Sequence, residues 1–301
     1  MKIICKFMLI AKVKAFVRQP LLLITLIGTA SVSPFSAANQ GSALGLDLSQ
    51  GKPLWEAGLF SAAFRGPIYP ASEDYQNKFL PVPFFIYRGD KIRIGDESLI
   101  KAIAVEKETF KLDVSLGGAF NADSEDSKIR QGMPDLDFMF EIGPQASFLL
   151  AESEHSETWL NLQLRSVFST DFSAVQQRGY VFQPEISYKK HDFVVADNTL
   201  FLAIAPTFAT AKTHQYFYDV EQAYVNDERE FYQANGGYLG SKVTIANRYS
   251  VNKRLMVFAG VQLGVWAGAK NEASPLFQQD LTYTVALGLK WSIFSSSTVV
   301  D

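Results

Sequence analysis

The sequence has almost no cysteine: Cys5 is the only one in 301 residues. Because Cys5 lies in a stretch that we expect to be removed after secretion, the mature chain is predicted to have no thiol, no disulfide and no cysteine-based metal site. Histidine is nearly as scarce, with His155, His191 and His214 alone. Metal ligation and acid–base catalysis at neutral pH depend heavily on these two residue types. The composition therefore offers few candidate residues for a metal site or a catalytic site, and we expect no metal and no cofactor.

An excess of basic charge is also missing, since 28 Lys and Arg stand against 31 Asp and Glu. Residues 1–38 hold five of the basic residues and no acidic one, so the remainder of the chain has a net charge of −8. Nucleic-acid-binding proteins normally present a basic face, and we expect no nucleic-acid partner. After residue 38 no apolar run approaches the roughly 20 residues of a membrane-spanning helix, which argues against an inner-membrane protein.

The N-terminus has the features of a Sec signal peptide. A basic stretch precedes a short apolar core at 21–32, and small residues at 36–38 predict cleavage after Ala38. Residues 39–53, rich in Gly, Ser and Leu, are predicted to form a flexible periplasmic N-terminal segment. The absence of a Leu-x-x-Cys motif near the cleavage site argues against a lipid anchor.

The final long segment shows the clearest pattern in the chain. From Leu281 to Ile293 every odd position is apolar, whereas the even positions, such as Thr282 and Lys290, are small or polar. A period of two over this length predicts a β-strand, at 279–294, with one apolar and one polar face. The same alternation predicts nine more strands, at 54–64, 78–88, 109–120, 135–150, 157–170, 178–190, 198–210, 236–249 and 254–268.

The polar faces of these strands carry charges of both signs. A soluble β-sandwich or lipocalin-like barrel would bury them at high cost, and its strands would be shorter, averaging about 5–6 residues. A membrane barrel instead places the polar face in its lumen and the apolar face in lipid. We therefore predict an all-β, closed antiparallel transmembrane barrel over 54–294. Its expected lumen-facing charges are Lys111, Asp113, Asp137, Glu141, Arg165, Glu185, Lys242, Arg248 and Lys290.

The links between the strands predict the orientation and the strand count. Short links (107–109, 152–157, 191–198, 250–253) alternate with long ones (65–78, 121–134, 171–177, 211–235, 269–279). Outer-membrane barrels keep short turns in the periplasm and long loops outside, so both termini should be periplasmic. A short strand pair within 89–107 would give about twelve strands, the count we favour; otherwise there are ten. Aromatic residues near strand ends predict interfacial girdles: Trp55, Tyr87, Trp159, Tyr180, Tyr249 and Trp291.

Three features of the long links are candidates for chemistry. The acidic cluster at 123–126 lacks the spacing and glycine of a calcium loop and is better interpreted as solvated, with a weak cation contact left open. His214 with Asp219 or Glu221 is the candidate site of a hydrolytic barrel enzyme. The aromatic segment 216–232 is predicted either to fold over the barrel mouth as a lid or to form an adhesive surface.

Several short motifs follow one another in an order typical of one family. They include Tyr-Pro-Ala-Ser at 69–72, Leu-Pro-Val-Pro at 80–83, Gly-Met-Pro-Asp at 132–135 and Ser-Pro-Leu at 274–276. This order resembles the MipA/OmpV family of MltA-interacting outer-membrane proteins over nearly the whole mature chain. The motif positions are Tyr69, Pro70, Ser72, Pro81, Pro83, Tyr87, Gly132, Asp135, Glu141, Gly143, Tyr218, Gly236, Ser274 and Pro275.

The resemblance implies a non-enzymatic protein of the outer membrane. Its expected role is a scaffold that brings a lytic transglycosylase and a penicillin-binding protein together for murein growth, or a surface antigen. Outer-membrane lipids and lipopolysaccharide are further expected partners. A narrow channel for small solutes and a lipid- or peptide-hydrolysing barrel enzyme remain alternatives.

The chain departs from the family's pattern at a few positions. Ile68 stands where Asp is usual, and Ala71 and Asp219 stand where Gly is usual. Typical barrels of this kind also end on the aromatic residue that corresponds to Phe294. Here a tail, 295–301, follows, and we expect it to be tolerated rather than functional.

Overall fold

The computed structural model of the chain describes residues 52–88, 93–94 and 105–300. The expected signal peptide, 1–38, and residues 39–51 of the expected flexible segment lie outside these ranges. No helix within them is long and apolar enough to cross a membrane.

Fourteen strands are present in the described ranges, and ten of them are long. The strands are β1 Lys52–Pro53, β2 Trp55–Pro67, β3 Tyr75–Arg88, β4 Arg93–Ile94, β5 Val105–Lys107, β6 Phe110–Ala119, β7 Phe138–Ser153, β8 Ser156–Thr170, β9 Val175–His191, β10 Asn198–Ala209, β11 Gly237–Ser250, β12 Leu255–Val265, β13 Leu281–Ser295 and β14 Val299–Val300. One α-helix, α1 (Ala211–Tyr218), and short 3-10 turns at Ser124–Asp126, Lys128–Arg130 and Gln222–Tyr224 lie between strands. Every segment predicted from alternation is a long strand, so the all-β expectation is confirmed.

The long strands form one antiparallel sheet in which chain neighbours pair, and the first long strand, β2, also pairs with the last, β13. The sheet order is β4-β3-β2-β13-β12-β11-β10-β9-β8-β7-β6-β5, so the two short strands lie at its opposite ends. In the described ranges no pairing joins β3 or β4 to β5 or β6. The rest of the interval 89–107, for which we expected an additional strand pair, lies outside these ranges.

The sheet is strongly curled. The rings of Phe64, in β2, and Phe120, directly after β6, have centroids 4.7 Å apart although seven strands separate β2 from β6 in the sheet. Neighbouring strands lie about 4.8 Å apart, so a flat sheet would separate these positions by roughly 38 Å. The sheet therefore bends until its two end regions meet.

The two faces of the sheet have inverted polarity. In β8, Leu164 is 51% exposed on the outer face, whereas the adjacent Arg165 is 2% exposed on the inner face. In β13 all the odd residues of 281–293 are exposed, while Thr282, Thr284 and Lys290 are buried.

One residue of the expected aromatic girdle, Trp159, was predicted wrongly. Trp159 shares the inner face with Lys111, whose ammonium lies 4.8 Å from its ring, and donates to Glu157.

Two prolines in the middle of β3 have a local explanation. Pro81 and Pro83 pair with Ser61 and Leu59 of β2, and over 75–86 the described residues give β3 no partner on its other side. A proline removes a donor from the hydrogen-bond ladder, which an edge position tolerates. Tyr87, further along the strand, is where β4 begins to pair.

The C-terminal tail is part of the fold rather than a free extension. β14 pairs with β1, and the Leu54 and Ser296 amides donate to the carbonyls of Thr298 and Trp55. The residues after Phe294 therefore fasten the start of the described chain to its end.

Candidate functional site

Four connections pack together at one end of the sheet, and we call them the loop cap: 68–74, 120–137, 210–236 and 266–280. They share one hydrophobic core with the adjacent strand ends. Its buried members are Ile68, Tyr69, Ala122, Leu136, Met139, Val167, Val181, Ala209, Phe217, Tyr218, Val220, Ala234, Leu239 and Leu276. Burial of this much apolar surface makes the cap a packed structure in its own right.

The family-motif residues in the loop cap bond to one another across the chain. The Tyr218 hydroxyl donates to the Pro70 carbonyl (3.0 Å), and the Tyr69 hydroxyl donates to the Leu276 carbonyl (2.8 Å). The Ser274 hydroxyl donates in turn to the Tyr218 carbonyl (2.8 Å). Burial raises the pKa of both tyrosines, so both phenols remain protonated donors. These bonds join three of the four connections.

Ala71 explains one departure from the family pattern. Its φ of 63° lies in the left-handed region, where glycine has no steric penalty. The residue is fully buried, and its carbonyl accepts from the amides of Gln278 and Gln279, both at 3.0 Å. The neighbouring Ser72 is also buried and its amide donates to the Tyr69 carbonyl. Surrounding bonds thus hold Ala71 in a conformation that glycine would adopt freely.

Two buried arginines fasten the loops, and sequence reasoning missed both. Arg130 donates to the Pro134 carbonyl (2.9 Å) and lies 5.6 Å from the centre of the Tyr69 ring. Arg229 donates to the carbonyls of Tyr224 (2.7 Å) and Ile129 (2.5 Å). A charged residue in an aperiodic loop gives no local signal that its partner will be a distant carbonyl.

The acidic cluster at 123–126 forms a turn. The Asp123 carboxylate accepts from the Glu125 amide, and the Glu125 carboxylate accepts from the Gly132 amide (3.2 Å). The motif residue Asp135 accepts from the Ser124 amide at 2.8 Å. Within the described ranges no group of three or more His, Cys, Asp or Glu side chains is placed to hold a metal ion.

His214 is buried, and both of its ring nitrogens are engaged away from the acids proposed as its partners. Its Nε2 lies 3.1 Å from the Gly237 carbonyl, and its Nδ1 accepts from the Asn271 amide at 2.7 Å. This assigns the neutral tautomer with the proton on Nε2. Burial lowers the pKa of His214. Asp219 accepts from the Ala234 amide (2.6 Å), and Glu221 is exposed, so the candidate hydrolytic pair is not assembled.

One part of the aromatic segment 216–232 packs as a lid, and another part is exposed as an adhesive surface would be. Phe217 and Tyr218, on α1, are buried in the cap core, and the Tyr216 hydroxyl accepts from the Asp137 amide (2.6 Å). Gly236 allows the first residue of α1, Ala211, to pack closely against it, since a Cβ on residue 236 would lie 2.7 Å from the Ala211 nitrogen. Phe231 is 58% exposed. The helix therefore acts as a lid, and only the far part of the segment faces outward.

Beneath the cap, Arg165 forms a network across four adjacent strands, which we call the Arg165 network. Its guanidinium donates to the Glu141 carboxylate (2.7 Å), to Ser115 (3.2 Å), to Gln183 (2.5 Å) and to Gln163. The motif residue Gly143 lets β7 and β8 approach closely, because a Cβ there would collide with the Leu164 carbonyl. The centre of the inner face is filled by these side chains.

The other expected lumen-facing charges also lie on the inner face or at its rim. Near the chain termini, Glu56 accepts from Arg88 (2.5 Å) and from Lys290 (3.0 Å). The alternating pattern predicted Lys290 as an inner-face charge, but Glu56 was not among the predicted inner-face charges. The remaining contacts are Glu185 with Asn161 (3.1 Å), Arg248 with Thr199 (3.0 Å), Asp137 with Ser169 (3.1 Å) and with Arg178 (3.7 Å), and Lys111 with the Trp159 ring. Asp113 is half-buried, and Lys242 lines a cavity.

Known proteins resemble this chain in sequence and, weakly, in fold. The family described as MltA-interacting protein MipA matches residues 59–293. No curated protein matches the chain. Among solved structures, the NanC porin is 7% identical over 78% of this chain and 100% of that one, with a TM-score of 0.35. The CymD monoaromatic hydrocarbon channel is 9% identical over 91% and 100%, also with a TM-score of 0.35.

Proposed function

We propose that this chain, which belongs to the family of MltA-interacting protein MipA, is a non-enzymatic outer-membrane barrel. In this proposal it acts as a scaffold or interaction protein for murein-remodelling enzymes after removal of residues 1–38. A lytic transglycosylase and a penicillin-binding protein are the candidate partners, because the family's description names an interaction with MltA.

The inverted polarity of the sheet carries the membrane part of the proposal. A water-soluble protein would leave Leu164, Ile186 and Leu287 in water on one face while burying Arg165 on the other. A bilayer around the outer face removes that cost, since apolar outer and polar inner residues are the rule in membrane barrels. Closure of the sheet between its two end regions belongs to the same proposal, because an open edge in lipid leaves backbone groups without partners.

The filled interior favours an interaction role over a channel. Gln163, Arg165 and Gln183 are almost inaccessible to water on the inner face, and the loop cap packs over the same space. An open diffusion pore needs a continuous aqueous path, as in porins of 16–18 strands. Planar-bilayer recordings of the purified protein should therefore show no steady conductance, and reproducible unitary steps would restore the channel alternative.

Cell fractionation is the first test of the proposed outer-membrane location. The full chain should appear in the outer-membrane fraction and migrate differently on a gel before and after boiling, as a closed barrel that resists detergent would. Recovery in a soluble fraction would refute the barrel and, with it, the scaffold.

Affinity capture from detergent extracts tests the scaffold role. Charge reversal at Lys253 and Arg254, on the exposed turn between β11 and β12, should reduce capture of murein enzymes, because this turn lies at the end of the sheet assigned to the periplasm. The matched control reverses Asp227 and Glu228, which are exposed in the loop cap, and should capture as the parent does. Absence of any transglycosylase or penicillin-binding protein from the parent's capture would refute the scaffold role.

A further inference from the structure

A cavity of about 120 Å³ lies inside the curled sheet between the loop cap and the Arg165 network. One water requires roughly 10–15 Å³ on the same measure, so the space accommodates about ten non-hydrogen atoms. The cap side is lined by apolar residues such as Phe64, Phe120 and Phe217, and the opposite side by Glu141, Arg165 and Lys242. The cavity is therefore apolar at one end and charged at the other.

Trp266 forms part of the wall because two glycines leave room for its ring. A Cβ at Gly264 or at Gly240 would overlap the indole. The ring is buried, and its Nε1 donates to the Thr282 hydroxyl at 2.9 Å. The indole position is thus fixed by packing and by a hydrogen bond, which makes this wall a rigid flat surface.

The charged end of the cavity has one cation in excess. Arg165 and Glu141 form an ion pair at 2.7 Å. Lys242 is attracted to Glu141 and repelled by Arg165, but in the described part of the chain it has no ion pair or hydrogen bond of its own. Asp137 also reaches the cavity, yet its carboxylate accepts from Ser169 and lies 3.7 Å from Arg178. An ammonium group withdrawn from bulk water without a partner is costly, and an anion beside it offsets that cost.

We infer that this cavity is a binding site for a small organic carboxylate with an apolar, preferably planar, body. The carboxylate accepts from Lys242 at the charged end, and the body lies between Trp266 and the phenylalanine side chains below the cap. A single excess positive charge matches a monoanion better than a phosphate dianion. The site is independent of the scaffold role and does not require it.

Benzoate is the probe, because it combines a carboxylate with a flat ring of the required size. Isothermal titration of the full chain in detergent micelles, with a micelle-only blank, should show saturable binding at one site. Benzyl alcohol, which has a similar shape and no charge, should bind at least tenfold more weakly, since a hydrogen bond to a charged group contributes roughly 1.5–3 kcal/mol. Equal affinity for the two probes, or no saturable binding of benzoate, would overturn the inference without any variant being needed.

Substitutions then locate the site. Lys242→Met should weaken benzoate binding about tenfold to hundredfold, whereas Lys242→Arg should retain it. Lys111→Met is the matched control, because Lys111 lies on the inner face but does not line the cavity. Unchanged binding by Lys242→Met, or an equal loss in Lys111→Met, would refute the assignment of the carboxylate to Lys242.

Discussion

The core of the loop cap and the centre of the Arg165 network are both inaccessible to water, but they reach that state with opposite chemistry. In the cap, Tyr218 and Leu276 are fully buried among apolar side chains, and buried polar groups such as the Tyr218 hydroxyl bond to backbone carbonyls. In the network, Arg165 and Gln163 are equally buried, and they bond to other side chains. The cap resembles the core of a soluble protein, whereas the interior of the sheet does not.

This difference predicts how each region responds to substitution. An apolar core loses stability in proportion to the contacts removed, so a small change has a limited effect. A buried polar network fails when one member leaves another without a partner, because the unpaired group loses both water and its bond. The two regions should therefore differ in whether a second substitution can compensate for the first.

The largest effect is expected in the network. Arg165→Met removes the donor to Glu141, Ser115 and Gln183 and should lower the free energy of unfolding by about 3–5 kcal/mol, because a partly buried carboxylate loses its ion-pair partner. Urea titration of the heat-modifiable gel band measures this loss. Adding Glu141→Gln should recover part of it.

The matched control for this substitution is Arg254→Met, on an exposed turn, which should stay within about 0.5 kcal/mol of the parent. A double variant no more stable than Arg165→Met alone would contradict the network interpretation, since neutralising Glu141 would then have relieved nothing.

The next effect tests the cap. Leu276→Ala should destabilise the packed loops by about 3 kcal/mol, within the range for a fully buried leucine. The cap should then open locally about a hundred times more often, and limited proteolysis within it should accelerate by a similar factor. Phe231→Ala removes a larger but exposed side chain from the same cap and should leave the rate unchanged. Equal acceleration in both variants would show that Leu276 does not hold the cap closed.

These two regions also differ in how far the sequence predicts them. Alternation is a local pattern, so it predicts the strands and the faces on which Leu164 and Arg165 lie. It fails at Trp159, because an aromatic residue near a strand end suits either a girdle or an inner-face contact with Lys111. The contact between Tyr218 and Pro70 joins residues 148 positions apart, and no local pattern encodes it. For position 71 the sequence indicated only that the family usually has glycine there, and the positive φ of Ala71 explains that preference.

A smaller effect is expected from one hydrogen bond inside the cap. Tyr218→Phe keeps the ring and removes the donor to the Pro70 carbonyl, which should cost about 1 kcal/mol and accelerate proteolysis of the cap roughly fivefold. Tyr224→Phe is the control, because the Tyr224 hydroxyl has no hydrogen bond in the described ranges. A loss as large as that of Leu276→Ala would mean that polar bonds, not apolar packing, hold the cap.

The smallest effect is expected from pH, through protonation of His214. Because burial lowers its pKa, the neutral ring favours the closed cap. This contribution is fully present above the unfolded value of about 6.5 and is lost as the pH falls through the lower folded value. Protonated Nδ1 can no longer accept from Asn271, so proteolysis of the cap should accelerate on acidification from pH 7. His214→Gln should abolish this dependence, whereas His155→Gln, on the exposed turn between β7 and β8, should preserve it. An acid-induced opening that persists in His214→Gln would show that His214 is not the titrating group.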